Sequence, residues 1–97
     1  MKKKIIAIAT DFREEKYVLC WLPERRDFAH WIVNSKGEHY LGRYFANLND
    51  AIDDFKDRVK NQRDRTNIDW QVPAQRWNEA QLVLFFELDK SSMKEVR

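Results

Sequence analysis

The chain has 97 residues, 43% of them hydrophobic, enough for one domain of ordinary size, about 100–150 residues. Six Phe, three Tyr and four Trp supply too much apolar ring surface for a disordered segment. Eighteen basic and 16 acidic residues leave a formal charge of +2, mildly basic and well mixed, without the strong basic bias usual in proteins that bind phosphate backbones, so charge leaves the partner class open.

The first element expected is a strand over Ile5–Phe12, short, apolar and β-branched. Asp11 and the charged group Arg13-Glu14-Glu15-Lys16 turn the chain. Tyr17–Leu22 is a continuous apolar run, read as a strand buried on parts of both faces. Pro23 stops it, since proline has no N–H to donate. The next strand is Phe28–Val33. Asn34-Ser35-Lys36-Gly37 is a hairpin signal, with Gly37 free to take positive φ. Glu38–Phe45 returns as a further strand. Gly42 inside it marks a bulge or a close approach of another group.

Asn47 is a good helix N-cap. Leu48, Ala51, Ile52, Phe55 and Val59 follow with helical spacing and form one apolar stripe. The other side of this helix carries Asp50, Asp53, Asp54 and Asp57 first and Arg58 and Lys60 later, the order the helix dipole favours. Lys60–Thr66 is polar and ends the helix. Ile68, Trp70 and Val72 alternate with polar residues, as in a short edge strand, and Pro73 limits it. Residues 74–79 read as a turn or loop with Trp77 anchored to the core. Leu82, Leu84, Phe86 and Leu88 alternate, so Gln81–Leu88 is expected to be a C-terminal strand. Residues 89–97 are expected to form a flexible tail beyond a single domain spanning 1–88.

These elements imply an α+β domain: a mostly antiparallel sheet of four to five strands, a meander, with one amphipathic helix on one face. One helix covers one face. Apolar residues on both sides of Tyr17–Leu22 therefore need a second cover: strand curvature, the Trp70–Glu79 segment folded across that face as a lid, or a partner, with the face carrying some of Tyr17, Trp21, Tyr44 and Phe85 expected as a contact surface.

Most kinds of catalysis find no support. Two glycines leave no room for a P-loop, a dinucleotide-binding turn or a nucleophile elbow. His30, His39 and Cys20 form no metal-ligand spacing, and Cys20 sits in an apolar strand where a thiol is inert. Neither a cofactor nor a metal is expected. One cysteine gives no internal disulfide and fits a reducing compartment. The apolar run after Lys2-Lys3-Lys4 is too short for a signal core, and no stretch reaches the roughly 20 apolar residues of a membrane span. A soluble cytoplasmic protein is expected.

Two binding classes remain. A protein partner, or a second copy of the chain, suits the aromatic face, because interfaces are rich in Trp, Tyr and Phe. Nucleic acid is the alternative, through Arg43, Lys56, Arg58, Lys60, Arg63 and Arg65, with Arg76 and Lys2-Lys3-Lys4 in support. Trp31-Ile32-Val33, Gly37, Leu41-Gly42, Phe45 and Ala51 resemble, over about a third of the chain, the three-stranded sheet and helix of plant ethylene-response-type and integrase arm-binding DNA domains. The resemblance is architectural: the strand arginines those domains use for bases are missing from Phe28–Val33. Balanced charge favours a non-enzymatic module that binds protein.

Overall fold

A computed structural model describes residues 3–11, 13–61, 67–72 and 78–96, with side chains through Glu87. Five strands and two helices follow in the order β1 (Lys4–Thr10), β2 (Lys16–Leu22), β3 (Asp27–Val33), β4 (His39–Phe45), α1 (Leu48–Lys60), β5 (Ile68–Trp70) and α2 (Glu79–Val96). The strands form one antiparallel sheet in the order β4-β3-β2-β1-β5. The α+β architecture expected from the sequence is thus the fold, with β4 and β5 as its two edges.

Side chains of the turns hold the meander together. Between β1 and β2, Asp11 Oδ1 accepts from the backbone N–H groups of Arg13 and Glu15, at 2.9 and 3.0 Å. Between β3 and β4, Asn34 Oδ1 accepts from those of Lys36 and Glu38, at 3.0 and 2.9 Å, and Gly37 takes φ 85°. A side chain that accepts backbone donors in this way substitutes for a backbone turn.

Helix α1 starts where the sequence places it. Asn47 is extended and its side chain accepts from Asp50 N at 3.1 Å. The stripe Leu48, Ala51, Ile52, Phe55 and Val59 is buried against Tyr17, Leu19 and Trp21 of β2 and Phe28 and Ile32 of β3. Each fully buried side chain of this kind is worth about 1.5–3 kcal/mol, so the stripe rather than the surface charges fixes the helix on the sheet.

The C-terminal segment corrects the sequence reading: Gln81–Leu88 is not a strand but part of α2. Asn78 and Gln81 close a reciprocal cap, with Gln81 N donating to Asn78 Oδ1 at 2.9 Å and Asn78 N to Gln81 Oε1 at 3.0 Å. Leu82 and Phe86, one turn apart, are buried in the same core as α1. Glu79 Oε2 accepts from Leu48 N at 2.9 Å, so α2 supplies an acceptor to an otherwise unsatisfied first-turn donor of α1. The backbone of residues 89–96, expected as a tail, continues this helix.

Both helices therefore lie on one face, called inner. On the outer face Val18, Cys20 and Leu22 of β2 and Ala29 and Trp31 of β3 form a second, smaller cluster, flanked by Ile5 and Val33. Every one of the five is buried. Lys3 Nζ stands 5.2 Å from the centroid of the Trp31 ring, and His39 meets the ring nearly edge-on at 5.5 Å. A lysine stem laid along apolar surface covers it while its charged head stays wet.

Candidate functional site

Strand β4 is an edge strand. Tyr40, Leu41 and Tyr44 on it are three of the four large hydrophobic residues left exposed among the described residues, the fourth being Leu84 of α2. From His39 to Tyr44 every residue is exposed. Among the described residues no strand pairs with its outer side, so its free N–H and C=O groups form an open row.

The strand is not regular. His30 pairs with Arg43 and Ile32 with Tyr40, so Trp31 of β3 faces both Leu41 and Gly42 of β4. This is the bulge that Gly42 signalled. The left-handed conformation, however, falls on Leu41, at φ 55°, while a side chain at Gly42 would meet nothing closer than the Tyr44 ring at 3.7 Å. A branched residue in that region costs about 1–2 kcal/mol. The bulge turns Leu41 outward, where 62% of it is exposed.

Each exposed tyrosine is held in place. Arg25 stands over the Tyr44 ring, 4.5 Å from its centroid, while its Nε donates to Asp27 at 3.2 Å. Tyr40 O–H donates to Glu15 Oε2, and this bond raises the pKa of the phenol. The rings therefore have fixed positions, which lowers the ordering cost of docking something against them.

Behind β4 lies a buried polar cluster. His30 is fully buried between the rings of Phe45, stacked at 5.7 Å, and Phe55, edge-on at 5.8 Å. Its Nε2 lies 2.7 Å from Asp54 Oδ2 of α1, and Arg43 of β4 donates to the same oxygen at 2.9 Å. The carboxylate is an acceptor, so Nε2 carries the proton and Nδ1 keeps a lone pair. That nitrogen is buried and has no hydrogen-bond partner. Burial lowers the pKa of His30, opposed by the bond to Asp54. Asp54 is raised by its own desolvation, but hydrogen bonds from Arg43 and His30 outweigh this and hold it below the ordinary carboxylate value. A histidine oriented by a carboxylate has the geometry of a general base, yet its free nitrogen is buried away from solvent. The cluster ties β3, β4 and α1 together and fixes the strand that carries the exposed rings.

The residues expected at a site do not share one surface. Tyr17 and Trp21, at 1% and 3% exposure, lie in the inner core under the helices. Tyr17 donates to Asp11 Oδ2 at 3.3 Å, and burial together with Asp11 and Glu15 pushes its phenol up to about 12. Phe85 packs on the inner core from α2. Tyr44 alone is exposed, on the opposite face: it pairs with Ala29, whose neighbour across β2 is Cys20. Trp21 reaches the surface only as part of an open cleft of about 610 Å³ between α2 and the β2–β3 turn, lined also by Arg26, Glu79, Val83 and Glu87. Strand β2 pairs with β3 without a register shift, so Tyr17 and Trp21 share the inner face with Leu19, whereas β4 and β1 each carry an irregularity. The bulge at Leu41-Gly42 shifts the phase of β4, and an extra residue near Ile6 shifts that of β1.

The basic set spreads out in the same way. Arg43 is bound to Asp54, and Lys56 stands 5.8 Å from the Trp70 ring centroid. Burial lowers the pKa of Arg58, and Lys60 is exposed at the helix end. Arg63, Arg65, Arg76, Trp77 and Lys2 lie outside the described residues. Sequence reading passed over Tyr40 and Leu41, and the only signal for them was the Leu41-Gly42 pair in a strand followed directly by α1. It also missed the His30–Asp54 bond, since neither residue indicates which part of α1 lies over β3.

Cys20 is fully buried on the outer face, and burial pushes its thiol up to about 12 despite the nearby Lys3 charge. No group of three or more His, Cys, Asp or Glu side chains converges among the described residues. None of their helices is long and apolar enough to cross a membrane. The chain matches no protein-family model, no curated protein and no solved structure.

Proposed function

We propose that this protein is a small binding module that docks an extended segment of a protein partner along β4. One observation carries the reading: an edge strand seven residues long bears three of the four exposed large hydrophobic side chains among the described residues. A strand added there gains main-chain hydrogen bonds along the row, and Tyr40, Leu41 and Tyr44 supply contact area and side-chain selectivity. Tyrosine and arginine, here paired as Tyr44 and Arg25, are enriched at interface hot spots. Binding rather than catalysis suits the interior, where Nδ1 of His30 is buried without a hydrogen-bond partner and the Cys20 thiol is buried.

The test is selection of random peptides by display against the native protein and against a Leu41→Lys/Tyr44→Ala variant. Peptides of alternating apolar and polar residues are expected to be enriched on the native protein. They are expected to bind the variant about tenfold or more weakly, the effect of losing one or two hot-spot side chains. Both side chains are exposed, so the variant keeps its melting temperature. Failure to enrich any such peptide, or equal binding to the variant, would refute the reading.

A further inference from the structure

We infer that the strand docked on β4 is β4 of a second copy of the chain, paired antiparallel about a two-fold axis between Leu41 and Gly42. The inference rests on the strand-docking reading and specifies the partner. It follows from the faces of β4. Tyr40, Arg43 and Phe45 pair with residues of the inner face, and His39 and Tyr44 with residues of the outer one. In a continuous sheet, opposed residues must share a face. A two-fold axis through Gly42 sets Tyr40 against the copy's Tyr44, which lies on the opposite face. Moving the axis between Gly42 and Arg43 restores the phase but brings Arg43 beside its own copy, a like-charge contact.

With the axis between Leu41 and Gly42 the phase is kept and the side chains complement one another. The two exposed Leu41 side chains meet near the axis. Tyr40 faces the copy's Arg43 on the inner face, a ring against a guanidinium. His39 faces the copy's Tyr44 on the outer face, ring against ring. The result has an apolar centre and a polar rim, the usual anatomy of an interface. The bulge helps, because it turns Leu41 outward and because two-fold symmetry sets each bulge against its copy. The two sheets become one, with β4 no longer an edge.

The experiment uses native protein in sedimentation at rising concentration, together with mixtures of single-cysteine variants under mild oxidation. Cys20 stays in place, since its buried thiol does not compete. A Tyr40→Cys plus Arg43→Cys mixture and a His39→Cys plus Tyr44→Cys mixture are both expected to form disulfide-linked dimers. Each is expected to exceed the His39→Cys plus Arg43→Cys mixture by about tenfold, because opposite-face positions lie outside bridging range. The two productive pairs use four different substitutions, so the misfolding of one variant leaves the other pair as a test. The native protein is expected to rise from one chain mass to two. A monomer at every concentration, or equal yields from the three mixtures, overturns the inference. Display-selected peptides that bind a strictly monomeric protein would overturn this inference alone and leave the docking reading standing, whereas loss of both removes both.

Discussion

At the scale of single residues, His30 is the most constrained titratable group. Its one hydrogen bond goes to Asp54, and a second proton would have to sit on Nδ1 among aromatic rings. The folded-state pKa therefore falls below 6.5, with burial the main cause. Between the folded value and about 6.5 the unfolded chain binds the extra proton and the folded one does not, so stability falls as the pH is lowered through that window. Each pH unit of depression is worth about 1.4 kcal/mol. Asp54 acts in the same direction at lower pH: its contribution is present above 3.8 and is lost as the pH falls below that. The expected result is a lower denaturant midpoint at pH 5.5 than at pH 7, with a His30→Gln variant flat over the same interval. A midpoint that rises on acidification would mean that attraction between imidazolium and Asp54 outweighs burial. Nothing in the residue pattern pointed to this pair. Asp54 looked like one acid on a solvated helix face, and only the docking of α1 over β3 brings it to the histidine.

At the scale of elements, α1 was legible and α2 was not, for a definite reason. The stripe of α1 repeats at three and four residues and begins at an Asn cap, so local and tertiary signals agree. In α2, Leu82, Leu84, Phe86 and Leu88 alternate like a strand. Leu82, Val83, Phe85 and Phe86 fit a helix equally well, and the Asn78–Gln81 cap decides between them. The strand β4 was foreseen together with its bulge, but the left-handed residue lies one position earlier than glycine chemistry indicates. Leu41 is therefore held in a costly conformation with its side chain exposed. Leu41→Asn is expected to raise stability by about 0.5–1 kcal/mol, since asparagine tolerates that region far better. The same change is expected to weaken binding along β4, an exchange of activity for stability common at functional positions. A drop in the unfolding midpoint would show instead that Leu41 stabilises the fold through its side chain.

At the scale of the whole molecule, the sequence identified the sheet, its meander and the existence of a second apolar face, but not how that face is closed. The two helices share the inner face, and the outer cluster lies beneath Trp31 with Lys3 across it. Alternation holds along β2, where Tyr17, Leu19 and Trp21 share the inner face, but it does not say which face the helices cover; only Tyr44 is displaced by a bulge, which inverts every side chain beyond it. With both faces closed over β2 and β3, open surface shifts to the edges. β5 is three residues long and β4 seven, so β4 is the edge with room for a partner strand. Strand docking requires that edge to be open, and amide hydrogen exchange in dilute protein measures its openness residue by residue. The β4 amides that do not bond to β3 are expected to exchange almost as fast as free peptide, while those of β2 and β3 are protected to the level of global unfolding. Saturation with a display-selected strand is expected to protect the fast β4 set. Strong protection of those amides in the dilute monomer would contradict the account, because it would mean that the chain already covers its own edge.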